Sequence, residues 1–166
     1  MTPYILASVL LAVMPVQTGA LTFSKPTSWI DRAPASSMRV AEFVVPKASG
    51  DAEDGELIVY YFGGTGGTVE ANLQRWLSQF QPASDSVRTT ATVHGLPLTS
   101  LDVSGTYVAE VRPGATERHN KPGFRMRATV VETPKGPYFI KLTGPAATIA
   151  GAGAAFEQFL ESLAVK

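Results

Sequence analysis

Apolar positions recur along this chain in two rhythms, period two and period 3.6, and their order sets the expected elements. Leu21-Thr22-Phe23 is a short alternating stretch, and Trp29 reads as a core anchor beneath a loop running to Pro34. Met38 to Val45 is β-branched and apolar and is stopped by Pro46. Glu56 to Phe62 is apolar on both faces, which predicts a central strand covered on both sides. Gly63 to Gly67 breaks that strand. Thr68 then opens a helix whose Val69, Leu73, Trp76, Leu77 and Phe80 share one face, with Pro82 as its stop. Val87 to Pro97 predicts a strand with a turn at His94-Gly95. Leu98 to Val111 reads as one long strand or two bent ones, with Gly105 marking a bulge or bend. In Phe124 to Glu132, Phe124, Met126, Ala128 and Val130 point one way and Arg125, Arg127 and Thr129 the other. A turn at Thr133 to Gly136 joins that strand to Tyr138–Thr143, which Gly144-Pro145 ends. A last helix is expected from about Ala147 to Val165, burying Ile149, Ala152, Phe156, Phe159, Leu160 and Leu163.

Short connections between strands favour antiparallel neighbours, and amphipathic helices must cover sheet faces. The expected fold class is therefore α+β: a single mainly antiparallel β-sheet flanked by two or more helices. Without repeats, linkers or low-complexity segments, residues 21–166 form one domain.

Residues 1–20 are different. Ile5 to Val16 is an apolar run broken only by Ser8 and Pro15, followed by polar Gln17-Thr18 and small Gly19-Ala20. That is the order of a signal peptide cleaved after Ala20. The run falls short of the roughly 20 apolar residues that cross a bilayer. Met1 to Tyr4 lacks Lys and Arg, so the amino terminus alone supplies positive charge; a buried N-terminal strand or helix is the alternative. The expected location is periplasmic or extracellular. No second long apolar run occurs, so no transmembrane segment is expected in the mature chain.

The absence of cysteine removes disulfides, thiol nucleophiles, Cys-ligated metal and a lipid-anchoring cysteine. The core must therefore hold the fold alone. Fourteen basic residues balance fourteen acidic ones, which argues against a nucleic-acid partner.

Gly63-Gly64-Thr65-Gly66-Gly67-Thr68 lies between a strand and a helix, as a phosphate cradle does. It lacks the P-loop lysine and the dinucleotide glycine spacing, and Glu70 would repel phosphate. A turn with Thr68 as N-cap is the better reading. His94 and His119 have no ligand spacing, and no nucleophile elbow or Ser-x-x-Lys motif occurs. No catalytic residue, cofactor or metal is expected. Asp51, Glu53, Asp54 and Glu56 read as a solvated turn, not a calcium loop. Two clusters have a functional reading beside a structural one. In the polar loop Arg112 to Pro122 and the strand after it, Arg112, Arg118, His119, Lys121, Arg125 and Arg127 form either a solvated outer face of an edge-side hairpin or a docking patch for an acidic partner. Asn72 and Arg75, three apart on one helix flank, form either packing contacts or, with the Gly63–Gly67 loop, the rim of a recognition surface.

Pro26-Thr27-Ser28-Trp29, Ser37-Met38-Arg39-Val40-Ala41, Val69 to Trp76 and Tyr138 to Pro145 together resemble a group of uncharacterised exported bacterial proteins. More loosely, the element order, the Pro-x-x-Trp opening and the closing strand-then-helix resemble the PsbP-like sandwich. That resemblance implies an antiparallel sheet with helices on it, and accessory or docking roles in preference to catalysis. It supplies no site residues.

The function expected first is a non-enzymatic interaction or accessory module of the bacterial cell envelope, with a protein partner. The alternatives are a carrier with an apolar pocket for a small ligand, and a hydrolase with an unrecognised acid/base pair. A concave pocket with convergent polar groups favours the carrier. A cleft with a titratable pair favours the hydrolase. A flat charged or aromatic face favours the interaction module.

Overall fold

The computed structural model describes residues 20–166. The expected export segment, apart from Ala20, lies outside the described residues. The chain begins with short strands β1 (Leu21–Thr22) and β2 (Ile30–Arg32), then β3 (Arg39–Val45) and β4 (Gly55–Tyr61). Helix α1 (Val69–Leu77) follows, then β5 (Phe80–Val93), β6 (Leu96–Tyr107), β7 (Lys121–Thr133) and β8 (Gly136–Pro145). Helices α2 (Ala146–Gly151) and α3 (Gly153–Glu161) and strand β9 (Ala164–Val165) complete it.

Seven strands form one sheet in the order β2-β3-β4-β8-β7-β6-β5, and every pairing in it is antiparallel. β1 and β9 form a separate antiparallel pair that joins the two ends of the described chain. Period-two alternation gives this sheet two apolar faces. On one, Leu57, Val59, Ile140 and Leu142 meet Trp29, Phe43, Ile149, Phe156 and Phe159. On the other, Met126, Ala128, Val130 and Phe139 meet Leu73 and Trp76 of α1. Trp29 is 2% exposed and its ring lies 5.6 Å from that of Phe159, which makes it the anchor expected of the opening loop.

The sheet dominates, and the helices are shorter than their apolar stripes suggested. α1 stops at Leu77; Phe80 and Pro82 belong to β5. Phe80 still joins the α1 core, so a correct burial had suggested a longer helix. Pro82 is tolerated because β5 is an edge strand with a register shift between Phe80 and Ala83. Gly105 lies at the matching irregularity in β6 with φ +148°, and a Cβ there would stand 2.2 Å from the carbonyl oxygen of Pro82. The bulge expected at Gly105 is thus present, and only glycine fits it.

The expected last helix is broken between Gly151 and Gly153, two poor helix formers, and its end becomes β9. Gly144-Pro145 ends its strand as expected: they are the last two residues of β8, and α2 starts at the next residue. Lys121 and Pro122 belong to β7, not to the polar loop. β2 was missed because all three of its residues are exposed. The β7–β8 hairpin is central in the sheet, so Arg125 and Arg127 do not line an edge-side outer face. β5 is the true edge on that side, and every residue from Gln81 to Thr92 is exposed. Among the described residues no helix is long and apolar enough to cross a membrane.

Candidate functional site

α1 packs against β5, β6 and β7 and leaves the β4–β8 half of its sheet face without a helix. Over that half lies a cleft of about 720 Å³. Its floor is set by alternation. Leu57 and Val59 point to the α3 core, so Glu56, Ile58 and Tyr60 point into the cleft. On β8, Ile140 and Leu142 are core and Lys141 and Thr143 face the cleft. The walls are Arg75 in the last turn of α1 and Gln79 between α1 and β5, Met38 and the first β3 residue Arg39, and the β6–β7 connection.

Lys141 is the unusual group on the floor. Nζ donates to Oε1 of Gln79 at 3.0 Å, and no carboxylate lies within 4.0 Å of it among the described residues. Burial pulls this ammonium down to about 8; Glu56 opposes that shift, and the positive charges of Arg75 and Arg39 add to it. Tyr107 is pushed up to about 12 by burial, with Glu56 and Tyr60 adding to it. Burial also raises Tyr60, against the opposing charge of Arg39. Both phenols therefore stay protonated at neutral pH, and neither hydroxyl bonds to a protein group among the described residues. Tyr107 stacks on His119, with ring centroids 5.4 Å apart.

The cations are unevenly compensated. Arg39 lies 5.7 Å from the ring centre of Tyr60 and donates to Glu42 at 2.8 Å. Glu42 is buried and also meets Arg32 at 2.6 Å and the amide of Ala35 at 3.2 Å. Glu56 is engaged by Arg32 at 2.6 Å. Arg118 donates to the carbonyl of Val108 at 3.2 Å and stands 3.9 Å from Glu110. Arg75 and Arg112 have no carboxylate partner among the described residues. The cleft thus carries an excess of positive charge in a partly desolvated concavity.

The structure brings together four of the residues singled out from sequence: Arg75, Arg112, Arg118 and His119 line this cleft. Asn72 lies behind it, fully buried, donating to the carbonyls of Gly66 and Thr68 at 2.8 Å each and accepting from Arg75. It ties the glycine loop to α1, whose N-cap is Thr68 as expected, its Oγ1 accepting from Ala71 at 3.1 Å. Lys121 reaches Glu53 at 2.5 Å. Arg125 and Arg127 share the opposite sheet face: Arg125 pairs with Asp102 at 2.6 Å, and Arg127 pairs with Glu157 and lies 4.8 Å from the centre of the Phe156 ring. Asp51 accepts from the Thr148 amide at 2.9 Å and so fastens its turn to α2. Sequence reasoning missed Lys141, Glu56, Tyr60 and Tyr107. The available signal was a lone cation between Ile140 and Leu142 in a strand apolar on both sides. Among the described residues no group of three His, Asp or Glu side chains is placed to hold a metal ion.

Solved structures with this arrangement exist. Cyanobacterial PsbP (CyanoP) from Synechocystis sp. PCC 6803 superposes with a TM-score of 0.51 at 12% identity, over 95% of this chain and 99% of that one. The fold is PsbP-like. A Pseudomonas aeruginosa protein of unknown function, PA94, gives a TM-score of 0.51 at 15% identity, over 89% of this chain and 99% of that one. No family model matches the chain, and no curated protein does. At these identities the similarity fixes the fold and leaves the cleft to be read from its own side chains.

Proposed function

We propose that this chain is an exported binding module of the bacterial cell envelope that holds a small anionic ligand in the cleft. The observation that carries this reading is the excess of cations there, with Arg75 and Arg112, which have no carboxylate partner among the described residues, on the same cleft as Lys141. Charge of one sign in a concave, partly desolvated site concentrates ions of the other sign. The volume of about 720 Å³ suits a small organic molecule. Tyr60, Phe62 and Tyr107 provide aromatic surface for its body, and a guanidinium such as Arg75 binds a carboxylate in two places. Concavity favours this ligand over the acidic protein partner, which would need a flatter face. Export is supported by the pattern of residues 1–20, and the N-terminus of the exported protein should begin near Leu21; an exported species still starting at Met1 would remove that part.

Benzoate and benzylamine, alike in shape and opposite in charge, test the cleft. Benzoate should shift the NMR resonances of Arg75, Gln79 and Tyr107, with affinity reduced roughly tenfold by Arg75→Ala. Benzylamine should not. Equal responses to the two, or none at millimolar concentration, would overturn the reading.

A further inference from the structure

We propose that the ligand of this cleft is a small 2-oxo acid, held by condensation of its carbonyl carbon with Nζ of Lys141. The inference rests on the cleft being an anion site and names the class of anion. A lysine buried for structural reasons is ordinarily paired with a carboxylate. Lys141, half-buried on the cleft floor, has no such partner among the described residues: its hydrogen-bond acceptor is the neutral amide of Gln79. It projects from β8 between two core residues, in a central strand paired on both sides, so its base is rigidly placed. Glu56, whose charge acts on Lys141 from the same cleft floor, is already engaged by Arg32.

These surroundings suit an amine that must be neutral to react. Burial and the two guanidinium groups lower its proton affinity, which is how a lysine becomes a nucleophile near neutral pH. At pH 7 an amine titrating at about 8 is neutral on the order of a hundredfold more often than one at the usual 10.5. The same guanidinium groups explain the acid in the ligand. Arg75 would take its carboxylate, leaving the adjacent carbonyl for Nζ.

The chemistry balances without an oxidant or reductant. The nitrogen lone pair forms the C–N bond, and the carbonyl π pair moves to oxygen, which takes a proton. The nitrogen loses a proton, giving a carbinolamine. Its hydroxyl then leaves as water with one further proton while nitrogen forms the C=N bond. Tyr60 and Tyr107, protonated and lining the cleft, are the donors at hand.

Pyruvate with cyanoborohydride tests this on the intact chain. The reductant adds hydride to the imine carbon and fixes a carboxyethyl group on the lysine, located by peptide mass spectrometry. Lys141 should be labelled at least roughly tenfold faster than the exposed Lys135 at pH 7. Arg75→Ala should reduce labelling by pyruvate more than labelling by acetone, which has no carboxylate. Lys141→Arg should lose the fast label; if that variant does not fold, the wild-type ratio decides alone. Labelling of Lys141 no faster than of Lys135, or equal loss with pyruvate and acetone, would overturn the imine. If benzoate still binds in an Arg75-dependent manner, the anion cleft survives that failure. If neither benzoate nor pyruvate engages the cleft, both proposals fall.

Discussion

Arg75 is positioned by Asn72: its guanidinium donates to the Asn72 carbonyl oxygen, while the amide nitrogen of Asn72 holds the carbonyls of Gly66 and Thr68. One residue is buried scaffold, and the other is an exposed side chain at the cleft. Asn72→Ala removes the side-chain donor to the Gly66 carbonyl, one of the two donors to the Thr68 carbonyl and the acceptor of the Arg75 guanidinium, and should cost about 2–3 kcal/mol of stability. Arg75→Ala should change stability by no more than about 0.5 kcal/mol and act on anion binding instead. Urea denaturation of the two variants beside the benzoate titration checks the split. Similar stability losses in both would mean that Arg75 is scaffold too.

Lys141 ties stability to alkaline pH. Its folded value, about 8, lies below the usual 10.5, so between these the unfolded chain binds more protons and stability rises with pH. Below about 8 the folded state carries the full penalty. Lys141→Met should therefore gain on the order of 1–3 kcal/mol on the wild type near pH 7. That gain should shrink as pH climbs toward 10.5. Denaturation of both proteins across this range measures it; a difference independent of pH would mean the ammonium is not penalised by its site.

Glu42 acts at the acid end. Burial works to raise its carboxyl, but the Arg39 hydrogen bond, the Ala35 amide and the charges of Arg39 and Arg32 outweigh it, and the net shift is downward from 4.5. Its contribution is then complete above about 4.5 and is lost as pH falls through the lower folded value. Glu42→Gln should cost about 1–3 kcal/mol at pH 7 and progressively less below pH 4.5. Thermal unfolding at stepped pH reads the convergence. Curves that stay parallel down to pH 2 would show that the arginines do not hold this carboxylate ionised.

Trp76 is 2% exposed and meets Phe139 edge-on at 6.4 Å. Trp76→Ala should cost about 3–5 kcal/mol by equilibrium denaturation. A loss under about 1 kcal/mol would contradict its place in the α1 core.

Gly105→Ala would place a methyl group 2.2 Å from the Pro82 carbonyl at φ +148°. About 2 kcal/mol or more should be lost, with hydrogen exchange rising first in β5 and the start of β7. An unchanged midpoint would mean the bulge relaxes without cost.

The legible parts of this fold were those where burial and periodicity agree. Leu57 and Val59 alternate with Ile58 and Tyr60, and both sets are enclosed by neighbouring strands, so β4 was readable. His94-Gly95 was readable as a two-residue turn because its residues adopt the positive φ that such a turn requires. Periodicity misled where one apolar residue served two elements, as Phe80 did, and where small residues allowed a helix to break, as around Gly151. The cleft was the least legible part. Arg75 announced itself on a helix flank, but Lys141, Glu56 and Tyr107 come from separate strands. Only the β4–β8 pairing, a contact across more than eighty residues, puts Glu56 and Lys141 on one floor.

β5 leads to a different kind of consequence. Its ends are fastened, Phe80 in the core and His94 to the carbonyl of Leu163 at 2.9 Å, while the twelve residues from Gln81 to Thr92 bury no side chain. What holds that stretch is the backbone ladder to β6, which any residue of adequate strand propensity can maintain, with one exposed side-chain tie from Arg88 to Glu70 of α1. Apart from Pro82, which abuts Gly105, these positions should be the freest to drift between homologues. They form a replaceable margin where a charged or aromatic motif, a label or a second binding function can be written without disturbing either core.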